Sequence, residues 1–154
     1  MEEFYHLTTK GKNQFKYQLQ RLQSQYKELI IELKNAYSNV ISENGDDAIY
    51  LENRRRELAQ RIFELNHIIK KSKAVHLSKK AVTTVQLGVQ VKLTSAQGEM
   101  LYRIVESIET NPEAGKISDV SPIGQALLGK HINDEVDVPT PAGLSHYKIA
   151  QITA

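Results

Sequence analysis

Apolar or small residues fall at Phe15, Leu19, Leu22, Tyr26, Leu29, Leu33, Ala36 and Val40, a spacing of 4-3-4-3-4-3-4. That rhythm is the heptad signature of a helix whose narrow apolar stripe faces a partner helix. Lys, Gln, Glu and Ser fill the positions between and suit a solvated face. Thr8-Thr9-Lys10-Gly11 is a turn-like entry with a threonine available as N-cap. A helix from about Lys12 to Val40 would be roughly 40 Å long at 1.5 Å per residue. Ser42-Glu43-Asn44-Gly45-Asp46-Asp47, a cluster of turn formers, breaks the pattern. A second seam follows at Ala48, Leu51, Arg55, Leu58, Ile62, Leu65 and Ile69, spaced 3-4-3-4-3-4. Two heptad segments of similar length joined by a short turn predict an antiparallel helical hairpin. Arg55 breaks the second seam close to the turn, where a long side chain can snorkel to water.

From Val75 the period changes. Val82, Val85, Val89, Val91 and Leu93 form short alternating stretches around Gly88. Ser95-Ala96-Gln97-Gly98-Glu99 reads as a hairpin turn before Met100–Val105. Lys116–Val120, Glu135–Val138 and Leu144–Ile152 read as further strands. Ser121 and Pro122 open a short helix over Ile123–Leu128, which Gly129 is placed to end. One short helix on a small antiparallel sheet makes an α+β domain. The basic segment Ser72–Lys80 has little apolar pattern and holds the linker. The predicted layout is a helical domain over 1–74 with its tip at about 41–47, a linker at 75–80 and a second domain over 81–154.

Composition narrows the function. No apolar run among the 154 residues approaches the roughly 20 that a membrane span needs. Met1-Glu2-Glu3 lacks the basic and then apolar pattern of a signal peptide, so a cytoplasmic protein with no membrane partner is expected. The absence of cysteine excludes disulfides and thiolate metal sites. The five histidines, His6, His67, His76, His131 and His146, are scattered without zinc-ligand spacing. Phosphate loops and serine nucleophile elbows are missing as well. Residues 1–79 carry 14 Lys/Arg against 10 Asp/Glu, whereas 80–154 carry 6 against 8, which suggests two units with different partners.

The most specific stretch is Ile117–Gly143: strand, turn, short helix, glycine stop, acidic turn, strand and a Thr-Pro-Ala-Gly turn. It resembles the C-terminal signature of the Gre family of bacterial transcript-cleavage factors, and Leu7-Thr8-Thr9-Lys10-Gly11 resembles the family's opening. The resemblance implies an N-terminal antiparallel coiled coil and a C-terminal domain of FK506-binding-protein-like fold. It implies no active site of the protein's own. The C-terminal domain would dock at the rim of the RNA polymerase secondary channel, through Asp119, Ser121 and Pro122 with Gly124 shaping the loop. The coiled coil would enter the channel and present acidic residues that help hold a second Mg²⁺ at the polymerase active site. The polymerase would then hydrolyse the nascent RNA 3′ end.

The family's tip reads Gly-Asp, two variable residues, then Glu-Asn-Ala and an acidic residue before Tyr. Glu43 matches the family glutamate, but the family aspartate falls on Val40 or, aligned from the second helix, on Ile41. Asp46 and Asp47 lie just after Gly45 and offer carboxylates from the other side of the turn. The catalytic and metal-holding expectation therefore rests on Glu43, Asp46 and Asp47, acting only within the polymerase. Arg54-Arg55-Arg56 is the expected contact to RNA phosphates, with a solvated face and a Glu52–Arg56 ion pair as the bland alternative. No cofactor of its own is expected, and seams that already face each other imply a monomer. Beside this reading stand a coiled-coil dimerisation module, opposed by a hairpin in which each helix already has a partner for its seam, and two further rivals. One is a Gre-like modulator that fills the channel without cleaving, and regulates initiation, pausing or NTP access. The other, prolyl isomerisation, needs an aromatic-lined proline pocket, and the C-terminal half offers only Tyr102 and Tyr147.

Overall fold

The computed structural model describes residues 4–39, 45–75, 77, 82–141 and 143–154. Val40, Ile41 and Glu43 of the expected tip, and most of the expected linker, lie outside the described residues. The chain divides into two compact units, Lys12–Ser72 and a second that joins Met1–Gly11 to Lys73–Ala154. Together they make an α+β protein. No helix among the described residues is long and apolar enough to cross a membrane.

The first unit consists of α1 (Thr9–Asn39) from Lys12 onward and α2 (Gly45–Lys70); the first three residues of α1 belong to the second unit. No proline or glycine interrupts either helix beyond its first turn, so nothing in the backbone opposes their length. From Phe15 to Ala36, every predicted seam position is buried or half-buried, while the residues between are exposed, Gln18 included. Leu29, Leu33 and Leu51 are 3%, 4% and 6% exposed and cluster with Ala36 and Leu58. Burying a leucine fully is worth about 1.5–3 kcal/mol, which supplies what isolated helices lack in water. The Tyr37 hydroxyl donates to Glu52 at 3.4 Å and Arg55 donates to the Tyr26 hydroxyl at 3.5 Å, so later residues of α2 meet earlier residues of α1. Arg55 does not snorkel free: its Nε also donates to Glu52 at 2.9 Å, which keeps it half-buried on the seam.

The second unit holds β1 (Tyr5–Thr8), β2 (Ser72–Val75), β3 (Gln90–Ser95), β4 (Gly98–Val105), β5 (Lys116–Ser118), α3 (Pro122–Leu127), β6 (Glu135–Thr140) and β7 (Gly143–Thr153). β1 and β2 form a two-stranded sheet; the main sheet runs β5-β4-β3-β7-β6. β3 and β4 are joined across the predicted turn, with Ser95 opposite Gly98. The main sheet is mixed, which corrects the antiparallel expectation: β5 runs parallel to β4, with Arg103 opposite Lys116 and Val105 opposite Ser118. Residues 106–115 return the chain through two short 3₁₀ turns, Ser107–Glu109 and Pro112–Ala114, and so provide the crossover that a parallel pair requires.

Val91 and Leu93 of β3, Val136 and Val138 of β6, and Ile149 and Ile152 of β7 point into one core with Val85, Val89, Ile104 and Leu127. Ile149 and Ile152 are three residues apart and would face opposite sides of a regular strand. A register shift beside Lys92 and Leu93 absorbs the extra residue, so both face inward.

β1 was not expected from the sequence, which placed it with the helical domain. Its backbone is held by two glutamates of the crossover. Glu106 accepts from the His6 amide at 2.8 Å, and Glu109 accepts from the Thr8 amide at 2.7 Å and from its hydroxyl at 2.6 Å. Glu109 is only 6% exposed, and these bonds satisfy its carboxylate. The Thr8 hydroxyl in turn accepts from the Gly11 amide at 2.9 Å, acting as the anticipated N-cap of α1. A Cβ on Gly11 would stand 1.6 Å from Glu109 Oε1. Gly11→Ala is therefore expected to expel the carboxylate and lower stability by about 1.5–3 kcal/mol, the scale of lost hydrogen bonds to a charged group. Urea unfolding measures this as a reduced midpoint.

Candidate functional site

Two regions carry the residues that sequence singled out, one in each unit. In the helical unit, Gly45, Asp46 and Asp47 are the first three residues of α2 rather than part of the turn. Asp47 is exposed; Glu43 and the Asp46 side chain lie outside what the structure describes. Carboxylates in a first helical turn favour the helix by about 0.3–1 kcal/mol, so these acids have a structural use apart from any metal. Among the described residues, no group of three or more His, Asp or Glu is placed to hold a metal ion.

The three arginines separate. Arg54 and Arg56 are exposed on α2, whereas Arg55 is tied to Glu52 and Tyr26. The Tyr26 hydroxyl and then the Glu52 carboxylate raise the Arg55 pKa above its already high range. Glu52 pairs with Arg55, not with Arg56 as its spacing suggested. Arg54 and Arg56 are thus the members of the cluster exposed to a ligand.

In the sheet unit, β5 ends at Ser118 and the chain turns through Asp119, Val120 and Ser121 into α3. Ser121 is the N-cap. Its hydroxyl accepts from the Gly124 amide at 3.1 Å and donates to the Ser118 carbonyl at 2.6 Å. The Ser118 hydroxyl donates to Asp119 Oδ1 and accepts from the Val120 amide, each at 3.2 Å. The Asp119 amide donates to the Val105 carbonyl at 2.9 Å. A Cβ on Gly124 would lie 2.0 Å from the Ser118 carbonyl oxygen, a backbone atom with little freedom to retreat. Glycine is needed here for close approach rather than for a special φ.

Ser121 and Gly124 therefore shape the loop. The surface it offers consists of the half-buried Asp119, exposed Pro122 and Val120, the last 64% exposed. Sequence reasoning put Val120 inside a strand and missed it. The signal was an apolar side chain in a segment whose neighbours, Asp119 and Ser121, are turn formers. Gly124→Ala is expected to cost more than about 2 kcal/mol through overpacking, whereas Val120→Ser should change stability by less than about 0.5 kcal/mol. Thermal melts of the two variants give the comparison.

Comparison with known proteins agrees with the motif. The family described as "Transcription elongation factor, GreA/GreB, C-term" matches residues 79–154. Transcription elongation factor GreA of Acetivibrio thermocellus is 34% identical over 152 residues, covering 95% of this chain and 94% of that protein. GreA of Clostridium acetobutylicum is 34% identical over 157 residues, covering 98% of each. The crystal structure of GreA factor homolog 1 of Thermus thermophilus aligns over 99% of this chain and 100% of that one, at 22% identity and a TM-score of 0.48. With GreA relatives alike along both units, the chain belongs to the GreA/GreB family of transcription elongation factors.

Proposed function

We propose that this chain is a transcription elongation factor that binds bacterial RNA polymerase at its secondary channel and stimulates the polymerase's cleavage of backtracked nascent RNA. The observation that carries the reading is likeness to GreA along both units, 34% identity over 95% of the chain. On this reading α1 and α2 form an antiparallel coiled coil that enters the channel as a monomer. The sheet unit is an FK506-binding-protein-like domain that docks at the channel rim through Asp119, Val120 and Pro122, on a loop set by Ser121 and Gly124.

The chain acts as an accessory. Glu43, Asp46 and Asp47 would hold Mg²⁺ jointly with groups of the polymerase. The donor set fits: Asp47 is an exposed carboxylate at the start of a helix, and Mg²⁺ commonly takes one or two carboxylates with water and phosphate oxygens. When bound, such an ion neutralises charge on the phosphodiester and lowers the pKa of a bound water. Arg54 and Arg56, exposed about two to three helical turns beyond Asp46 and Asp47, neutralise phosphates of the extruded RNA 3′ segment.

One observation favours a second reading. The resemblance calls for a tip aspartate where this chain has Val40 or Ile41. A factor short of that ligand would occupy the channel and modulate transcription without cleavage. Combined Glu43→Ala, Asp46→Ala and Asp47→Ala substitution separates the two. Cleavage of 3′-labelled RNA in a backtracked complex should fall at least about tenfold, the scale on which altered metal sites lose activity, while polymerase affinity is kept. Wild-type protein that binds polymerase, inhibits it and releases no RNA fragment would establish the non-cleaving reading instead.

A further inference from the structure

The outer face of the main sheet, opposite the core, carries a cleft that none of the expected site residues line. Its floor is Gln90, Leu101 and Arg103 of β3 and β4 with Lys116 of β5; Thr8, Thr9 and Lys10 at the start of α1 form one wall, and Val75 and Leu77 lie beside them. The volume is about 600 Å³. Register explains the floor: Arg103 is opposite both Gln90 and Lys116, so all three project from the same face, and Leu101 is two residues along it.

The charge of the cleft has one sign. Lys10, Arg103 and Lys116 line it, and no acidic residue does. Among the described residues none of these cations has an ion-pair partner, whereas Lys92, on the same face, is neutralised by Glu99 at 2.8 Å. Arg103 is held in place by donating to the Gly88 carbonyl at 2.7 Å, which leaves its other donors for a ligand. The nearby Glu109 carboxylate is spent on Thr8. Beside the cations Leu101 is 54% exposed, an apolar side chain without cover among the polar side chains of β3 and β4 on this face. Three uncompensated cations around an apolar patch complement an acidic segment that also carries an apolar side chain. A bare phosphate chain would leave the exposed Leu101 unused.

We propose that this cleft is a docking groove for an acidic, partly apolar peptide segment of RNA polymerase, separate from the Asp119–Pro122 loop. The proposal rests on the polymerase-binding function above. Its test is equilibrium binding of the fluorescently labelled full chain to cognate core polymerase across a salt series. Lys10→Glu with Lys116→Glu is compared with Lys130→Glu, an exposed charge reversal outside the cleft. Unchanged urea midpoints establish that the variants are folded. The double variant is expected to bind about tenfold more weakly and with a flatter salt dependence, while Lys130→Glu binds like wild type. Wild-type affinity in the double variant, with binding weakened in the loop variant Val120→Ser, would overturn the cleft and leave the polymerase-binding reading intact. Weakening seen only when nucleic acid is present in the complex would assign the cations to phosphates and overturn the proposal. Absence of wild-type binding would remove the polymerase-binding reading and the cleft proposal with it.

Discussion

The helical unit depends on one constraint: apolar side chains must return every 3.5 residues so that two slender helices can bury a common stripe. A helix the length of α1 offers few other means of stabilisation. Most of its residues are exposed, and its last turn carries no basic residue to offset the helix dipole. Leu29, Leu33 and Leu51 supply buried contact in the half nearest the connection between the helices. That placement holds the first turn of α2, and with it Asp47, on a packed element. Carboxylates presented to another protein's active centre need such support, because about an ångström of misplacement is enough to lose much of the benefit of positioning.

The sheet unit applies a different economy of polar groups. Ser118, Ser121 and Glu109 are turned inward and saturated by hydrogen bonds, and each fixes a backbone turn. Gly11 and Gly124 exist at the points where a carboxylate and a carbonyl come too near for any side chain. Val120 and Pro122 on the loop, and Lys10, Arg103 and Lys116 around the cleft, are left at the surface of this unit.

Legibility followed physical range. Among the described residues the heptad seams were readable residue by residue, because burial in a long helix repeats and the repeat is written locally. The β3–β4 turn, the Ser121 cap and the Gly129 stop were readable for the same reason: each is a short-range geometric demand on one residue type. Strand direction was not, since period-two alternation is identical for parallel and antiparallel partners, and β5 was assigned the wrong sense. β1 escaped because its four residues acquire strand character only from β2 and from glutamates about 100 positions away. Asp46 and Asp47 were read as turn residues, although the same side chains suit a helix N-terminus equally well. The Arg55 reading erred because its partners, Glu52 and Tyr26, come from two helices. The cleft has no sequence motif, being assembled from positions 10, 90, 101, 103 and 116.

The central claim is that the start of α2 reaches the polymerase active centre. A photo-crosslinking amino acid at position 47, in a complex of this protein with cognate polymerase and backtracked 3′-labelled RNA, tests it most directly. The account predicts a crosslink from position 47 to the RNA 3′ segment, and from a second probe at position 120 to polymerase protein alone. Crosslinking of position 120 to polymerase with none from position 47 to RNA would contradict it, since the protein would then dock without delivering its carboxylates.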